Sequence, residues 1–325
     1  VNKSVYSDMQ RIWDMYHTKA HINLIVCGSI FSMMTKIFKD KKEPLYNRQT
    51  RFMSIKPFTP AVLKEIMAEY NPNYTSEDLL ALYSFTGGVA KYVQLLVDAG
   101  ATTKTKMLNH IIKADSVFLG EGKAILIEEF GKDYGVYFSI LSAIARGKTL
   151  RSEIEQIVGR EIGGYLTKLE KEYEVITKNQ PIFEKSSTKN VRYTIEDNFF
   201  TFWFRFIYKY NYMLEIENYD AVKTIINRDY ETFSGKMLER YFKRVLMESK
   251  AYTRIGSWWD RKGENEIDIV AENELNDEAV FIEVKRKEEN FDADALNEKV
   301  DVFTRATGKF KDYTVSQKGL SMTDM

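Results

Sequence analysis

Residues 263–287, GENEIDIVAENELNDEAVFIEVKRK, constrain the fold more than any other stretch. Two short runs of alternating apolar residues flank an acidic turn, the pattern of a β-hairpin with one buried face. Side chains alternate along a strand with period two. In the first run Ile267 and Ile269 are expected on one face and Asp268 on the other. In the second, Val280, Ile282 and Val284 share a face, and Phe281, Glu283 and Lys285 share the opposite one. Pairing of the two runs brings Asp268 beside Glu283 and Lys285. Two carboxylates and an ammonium at one point suit a hard divalent cation, since Mg²⁺ takes one or two protein carboxylates and keeps several waters. The lysine is then placed to orient or deprotonate a water, or to stabilise charge developing on a phosphate.

The segment before the hairpin, 229–249, is an amphipathic helix with Phe233, Met237, Tyr241, Val245 and Leu246 near helical spacing and Glu239 at its middle. Helix with Glu239, strand with Asp268, strand with Glu283-x-Lys285: this order resembles the PD-(D/E)xK nuclease superfamily, the restriction-endonuclease-like fold. The resemblance implies that Asp268 and Glu283 hold Mg²⁺ or Mn²⁺, and that Asp268, Glu283, Lys285 and Glu239 are catalytic. On an exposed strand the same Glu–Lys pair would be only a solvated ion pair.

The chain has 325 residues, enough for two or three domains. Lysine plus arginine equals aspartate plus glutamate, 47 each, so contact with nucleic acid must come from local patches. The single cysteine, Cys27, excludes an intrachain disulfide and a cysteine-based zinc site. His17, His21 and His110 form no metal motif. No apolar run approaches the ~18 residues of a membrane span, and no signal peptide is visible. A cytoplasmic location is expected. The opening VNKSVYSDMQ reads as mid-protein sequence, with the natural N-terminus lying upstream.

After a helical pattern over residues 1–21, INLIVCG (22–28) reads as a buried strand of a parallel sheet that ends at Gly28-Ser29 and flows into a helix. Ser29 stands at the carboxyl end of that strand, where open α/β sheets place ligands. Residues 51–58, RFMSIKPF, read as another strand, and Thr59-Pro60 start a helix. With Pro44-Leu45-Tyr46-x-Arg48 and Thr86-Gly87-Gly88-Val89-Ala90-Lys91-Tyr92, this half resembles the C-terminal part of a prokaryotic or archaeal AAA+ (STAND-like) ATPase module. It is the kind that carries a C-terminal nuclease-like domain of the DUF234 type. Ala90 stands where that pattern has proline. The resemblance implies that Ser29, Arg48 and Arg51 face nucleotide phosphates, and that ATP is a cofactor of the full-length protein. No G-x-x-x-x-G-K-[ST] loop is present in these 325 residues.

Residues 134–195 suggest three helices and two strands around the charged turn EKSSTK, a winged helix-turn-helix. Thr149 is the expected cap of its second helix. Arg151, Arg160 and Lys168 are the candidate nucleic-acid contacts, joined by Lys148 and, on the wing, by Lys185 and Lys189. The aromatic run 199–210 reads as a hydrophobic joint rather than a base-stacking surface.

The expected class is therefore α/β, multidomain and mostly helical. It comprises a partial P-loop ATPase core (1–58), a helical lid (59–132), a winged helix (133–196), an aromatic helical linker (197–228) and the nuclease-like domain (229–325). Two functional readings follow. One is a metal-dependent deoxyribonuclease attached to an ATPase, with DNA as partner. The other is a non-catalytic module that binds DNA or a protein partner. Neither involves a membrane, and the oligomeric state stays open.

Overall fold

The computed structural model describes residues 3–28 and 31–325. The fold is mixed α/β and mostly helical, with one two-stranded and one four-stranded sheet among the described residues. Helix α1 (Lys3–Tyr16) and α2 (Phe31–Lys39) form a small satellite around Ile37, Phe38 and Leu45. The strands expected at 22–28 and 51–58 are not formed. Ile22, Ile25, Met53 and Ile55 are 68–89% exposed, except that the flanking Leu24 and Val26 are somewhat less so. A strand exists only where a neighbour takes its N–H and C=O groups. Among the described residues the only such bond near either segment is Phe58 N–H to the Gly88 carbonyl, 2.7 Å.

From Pro60 the chain is a packed helical body. It runs through α3 (Pro60–Tyr70), α4 (Ser76–Thr86), α5 (Ala90–Asp98), α6 (Lys104–Ile111) and α7 (Val117–Phe130). Thr59 caps α3, accepting from Val62 N–H, and Pro60 begins it. Thr75 and Asp78 open α4 with a reciprocal capping box. Gly87 ends α4 in the left-handed region, and Gly88 follows at φ 77°. A Cβ on Gly88 would lie 2.5 Å from the Phe58 carbonyl oxygen, so only glycine lets the two backbones meet there.

Next come α8 (Tyr134–Ala145), α9 (Arg151–Val158), α10 (Gly163–Lys171) and an antiparallel pair, β1 (Ile176–Asn179) and β2 (Arg192–Ile195). The cap of α9 is Leu150 rather than Thr149: Glu153 turns back to accept Leu150 N–H, while the Thr149 carbonyl is taken by Tyr193 N–H at 2.8 Å. The aromatic run forms α11 (Asn198–Phe202), a π-helical stretch at Trp203–Tyr208 and α12 (Asn211–Glu215). Phe199, Phe202, Trp203, Phe204 and Phe206 are all at most 2% exposed. They are core, packed on α4, α8 and α13 (Tyr219–Ser249). Helix α13 starts ten residues before the expected 229, and passes through 228/229 without a break.

The four-stranded sheet has the order β3 (Arg254–Trp259), β4 (Glu266–Asn273), β5 (Glu278–Val284), β6 (Thr314–Leu320). The first two pairings are antiparallel. The β5–β6 pairing is parallel and is reached through α14 (Ala293–Thr307). One face, with Ile269, Ile282 and Val284, joins the large helical core; the other, with Ile267, Val270 and Phe281, packs with Leu296, Val300 and Phe303 of α14. Ile267 and Ile269 thus lie on opposite faces, against the expectation. Gly256 pairs with Val270 but Trp258 with Ile267, so Asp268 and Ile269 together oppose Ser257. This β-bulge breaks the alternation and re-aims the side chains beside it.

Candidate functional site

The β4–β5 register matches Ile269 with Ile282. One step further along that register Asp268 stands opposite Glu283, at the end of the sheet where the ladder stops. Val284 pairs with Leu320 of β6 but lies beyond the last β4–β5 pair, and its N–H donates to Asp268 Oδ2 at 2.8 Å. Glu283 is buried, 7% exposed, and its carboxylate accepts from Lys285 Nζ at 2.8 Å. Lys299, from α14, reaches both Glu283 oxygens at 3.0 and 3.1 Å. From the other side, α13 delivers Glu239, held by Lys236 three residues earlier at 3.0 Å. Lys236 also lies 4.0 Å from Glu266 of β4.

The electrostatics report how close these groups are. Burial raises the Glu239 carboxyl, the Asp268 charge adds to it, and the two together outweigh Lys236 and carry its pKa to about 7. Burial likewise raises Asp268; its bond from Val284 opposes this, and the Glu283 charge reinforces it. For Lys285, burial pulls the pKa down. The hydrogen bond to Glu283 and the charges of Glu283, Asp268 and Glu239 win, holding it above the ordinary lysine value. Lys285 is therefore a standing cation near neutrality, suited to stabilising negative charge rather than removing a proton. Glu239 is the group that exchanges a proton near neutrality.

Among the described residues no group of three or more His, Cys, Asp or Glu side chains is placed to hold a metal ion. Asp268 and Glu283 nonetheless form a facing pair of hard oxygen donors, which is the number of protein carboxylates that Mg²⁺ commonly takes. Asp268 uses only Oδ2 in its bond to the backbone. The donor chemistry thus fits Mg²⁺ or Mn²⁺, with lysines now occupying the oxygens of Glu283.

The remaining candidates are scattered. Ser29 lies outside the described residues. Arg48 is gripped by Asp14 of α1 through two bonds of 2.8 and 2.9 Å, and Arg51 is exposed in the extended 51–58 segment. Arg151 starts α9 and pairs with Glu155 at 2.7 Å. Arg160, in the α9–α10 loop, and Lys168, on α10, are exposed. Lys236, Glu266, Lys299 and Arg286 are functional-site neighbours that sequence reading passed over. The i,i+3 spacing of Lys236 and Glu239 was one available signal. Arg286 donates to Ser234 Oγ on α13 and to Glu77 on α4 at 2.6 Å, tying the end of β5 to the helical body.

Residues 203–299 match a family model. The family is DUF234, archaeal and bacterial proteins of unknown function. The DUF234 match runs from the π-helical stretch to Lys299, and so takes in Lys236, Glu239, Asp268, Glu283, Lys285 and Lys299. The chain is also similar to an uncharacterized protein of Methanocaldococcus jannaschii, 33% identical over 302 residues. The alignment covers 88% of this chain and 65% of that relative. No solved structure matches the chain.

Proposed function

We propose that residues 229–325 are a restriction-endonuclease-like, metal-dependent phosphodiester site acting on DNA. The observation that carries this reading is the convergence of Glu239, Asp268, Glu283 and Lys285, from one helix and two strands, on the end of one sheet. Asp268 and Glu283 would hold Mg²⁺ or Mn²⁺, which when bound supplies charge stabilisation and lowers the pKa of a bound water. Lys285 offsets charge growing on the phosphate. Glu239 takes or returns a proton near neutral pH. Lys299 and Lys236 hold the carboxylates in place before substrate arrives.

The arrangement of α8, α9, α10 and the β1–β2 pair supports a winged-helix reading for 133–196, with DNA contact through Arg151, Arg160 and Lys168. We also assign residues 1–132 to the C-terminal part of an ATPase module of a longer protein, with ATP as its ligand and Ser29, Arg48 and Arg51 facing the phosphates. The order of Gly28-Ser29, Arg48 and Thr86-Gly87-Gly88 supports this. A phosphate at Arg48 would have to replace Asp14.

A second, non-catalytic reading is favoured by one observation: Glu239 and Glu283 are ion-paired to lysines, as expected of a binding module that never admits a cation. Incubating a fluorescent duplex with the chain and Mn²⁺ separates the two. The catalytic reading expects slow cleavage that Asp268→Asn and Lys285→Met each reduce by at least about 100-fold, the scale of losing one charge-stabilising group. No cleavage by the parent chain across duplex and single-stranded substrates leaves the binding-module account in its place.

A further inference from the structure

The turn at 184–191, which joins β1 to β2, faces the first turn of α9 across a cavity of about 870 Å³. Arg261, on the turn between β3 and β4, closes its third side. Lys185, Lys189 and Arg261 are exposed on these walls and make no ion pair among the described residues. Arg151 is already neutralised by Glu155, and Glu184 is the one further acid on the lining. Three unpaired cations against one carboxylate make this a positive recess on a chain of zero net charge. Small-molecule pockets of this size are lined mainly by apolar and aromatic groups. Apart from Leu150 and Val191, this one is lined by charged side chains, hydroxyls and an amide, and cations, hydroxyls and amides are the groups that contact phosphate and sugar.

The recess is fixed to the carboxylate site. Asn190 on its wall accepts from Trp259 Nε1 at 2.9 Å and donates to the Trp259 carbonyl at 3.4 Å. Two residues on, Arg192 pairs with Glu266 at 2.8 Å and lies 4.5 Å over the Trp259 ring. Ile182 N–H bonds the Ser257 carbonyl of the edge strand β3 at 2.9 Å. A Cβ on Gly256 would come 2.9 Å from the Ile182 Cβ, so a glycine there admits the close approach. Glu266 in turn neighbours Lys236 and is two residues from Asp268. The β1–β2 pair and the four-stranded sheet therefore present one surface rather than two independent ones.

We infer that Lys185, Lys189 and Arg261 form a single phosphate-binding groove, shared between the β1–β2 turn and the four-stranded sheet, that holds the backbone of duplex DNA. This deepens the proposed function, since it supplies the track along which a phosphodiester reaches Asp268 and Glu283; binding itself does not depend on cleavage. It also extends the DNA contact beyond the winged helix to Arg261, which lies on the turn between β3 and β4.

The test is fluorescence anisotropy of a labelled 20-bp duplex, titrated with the chain at several salt concentrations. Each phosphate contact contributes about 0.9 to the slope of log K against log salt. The triple variant Lys185→Ala/Lys189→Ala/Arg261→Ala is expected to lower the slope magnitude by about 2.7 and the affinity by at least about tenfold, with an unchanged thermal midpoint. Arg261→Ala alone should remove about one third of the slope change. Lys106→Ala/Lys123→Ala, which removes two exposed lysines of the helical body far from the recess in sequence, should leave binding as it is. An unchanged slope in the triple variant overturns the groove, as does no duplex binding by the parent chain, or tighter binding of single-stranded RNA that the variant does not affect. Duplex binding lost in the triple variant, with no cleavage under any cation, keeps the groove and overturns the cleavage chemistry instead.

Discussion

Glu239 carries two opposed demands: α13 half-buries it against the sheet, and Asp268 faces it with like charge. Its pKa of about 7 is a statement about stability as well as chemistry. Because the folded value lies above that of a free carboxyl, the folded state binds this proton more tightly. The resulting stability is complete below about pH 4 and is lost as pH rises through about 7. Asp268, also raised, adds in the same direction. At ~1.4 kcal/mol per pKa unit, and discounted for a group water still reaches, the Glu239 contribution is on the order of 2 kcal/mol. Urea unfolding of the metal-free chain at pH 5 and pH 8 checks it. Glu239→Gln should lose less stability between the two pH values than the parent, and a parallel loss in both proteins contradicts the assignment. The four acidic and basic residues read from the sequence meet because helix, strand and strand follow one another in that order. Lys299 escaped because its role depends on α14 crossing the sheet, which no local spacing reveals.

Among the elements, the turn after α4 shows how a local motif is enforced by packing. Gly87 and Gly88 were legible as a helix end, but the reason for the second glycine was not, since it lies thirty residues away in Phe58. Gly88→Ala must accept both a left-handed backbone and a Cβ 2.5 Å from a carbonyl oxygen. Gly100 has a similar φ of 62° with nothing within 4 Å of its Cβ. Chemical denaturation should show Gly100→Ala costing about 1 kcal/mol and Gly88→Ala at least about 2 kcal/mol more. Equal costs would mean that the Phe58 contact is not made. The strands expected at 22–28 and 51–58 failed for the converse reason. Their apolar runs specify a strand face, but a strand needs neighbours, and the described residues offer none. In the C-terminal sheet the same kind of pattern succeeded because β3, β4, β5 and β6 all lie within reach of one another. There the one misread feature was the bulge at Asp268-Ile269, which period-two reasoning cannot anticipate.

At the scale of the whole molecule, the sheet end that bears Glu283 and Lys285 is anchored on two sides. Arg286 links it to Ser234 on α13 and Glu77 on α4, while Arg192 and Asn190 bind the β1–β2 pair to its edge. No helix among the described residues is long and apolar enough to cross a membrane. A site built this way, from α13, β4, β5 and α14, exists only in the folded chain, so a cation held there stabilises folding by mass action. The most direct test is the thermal midpoint of the parent chain, Asp268→Asn and Glu283→Gln across a Mn²⁺ titration. At a hundredfold excess over the dissociation constant a bound ion contributes about 2.7 kcal/mol. The parent midpoint should therefore rise by about 5 °C, and neither variant should respond. A parent midpoint that ignores Mn²⁺, or variants that rise with it equally, would contradict a cation site at Asp268 and Glu283.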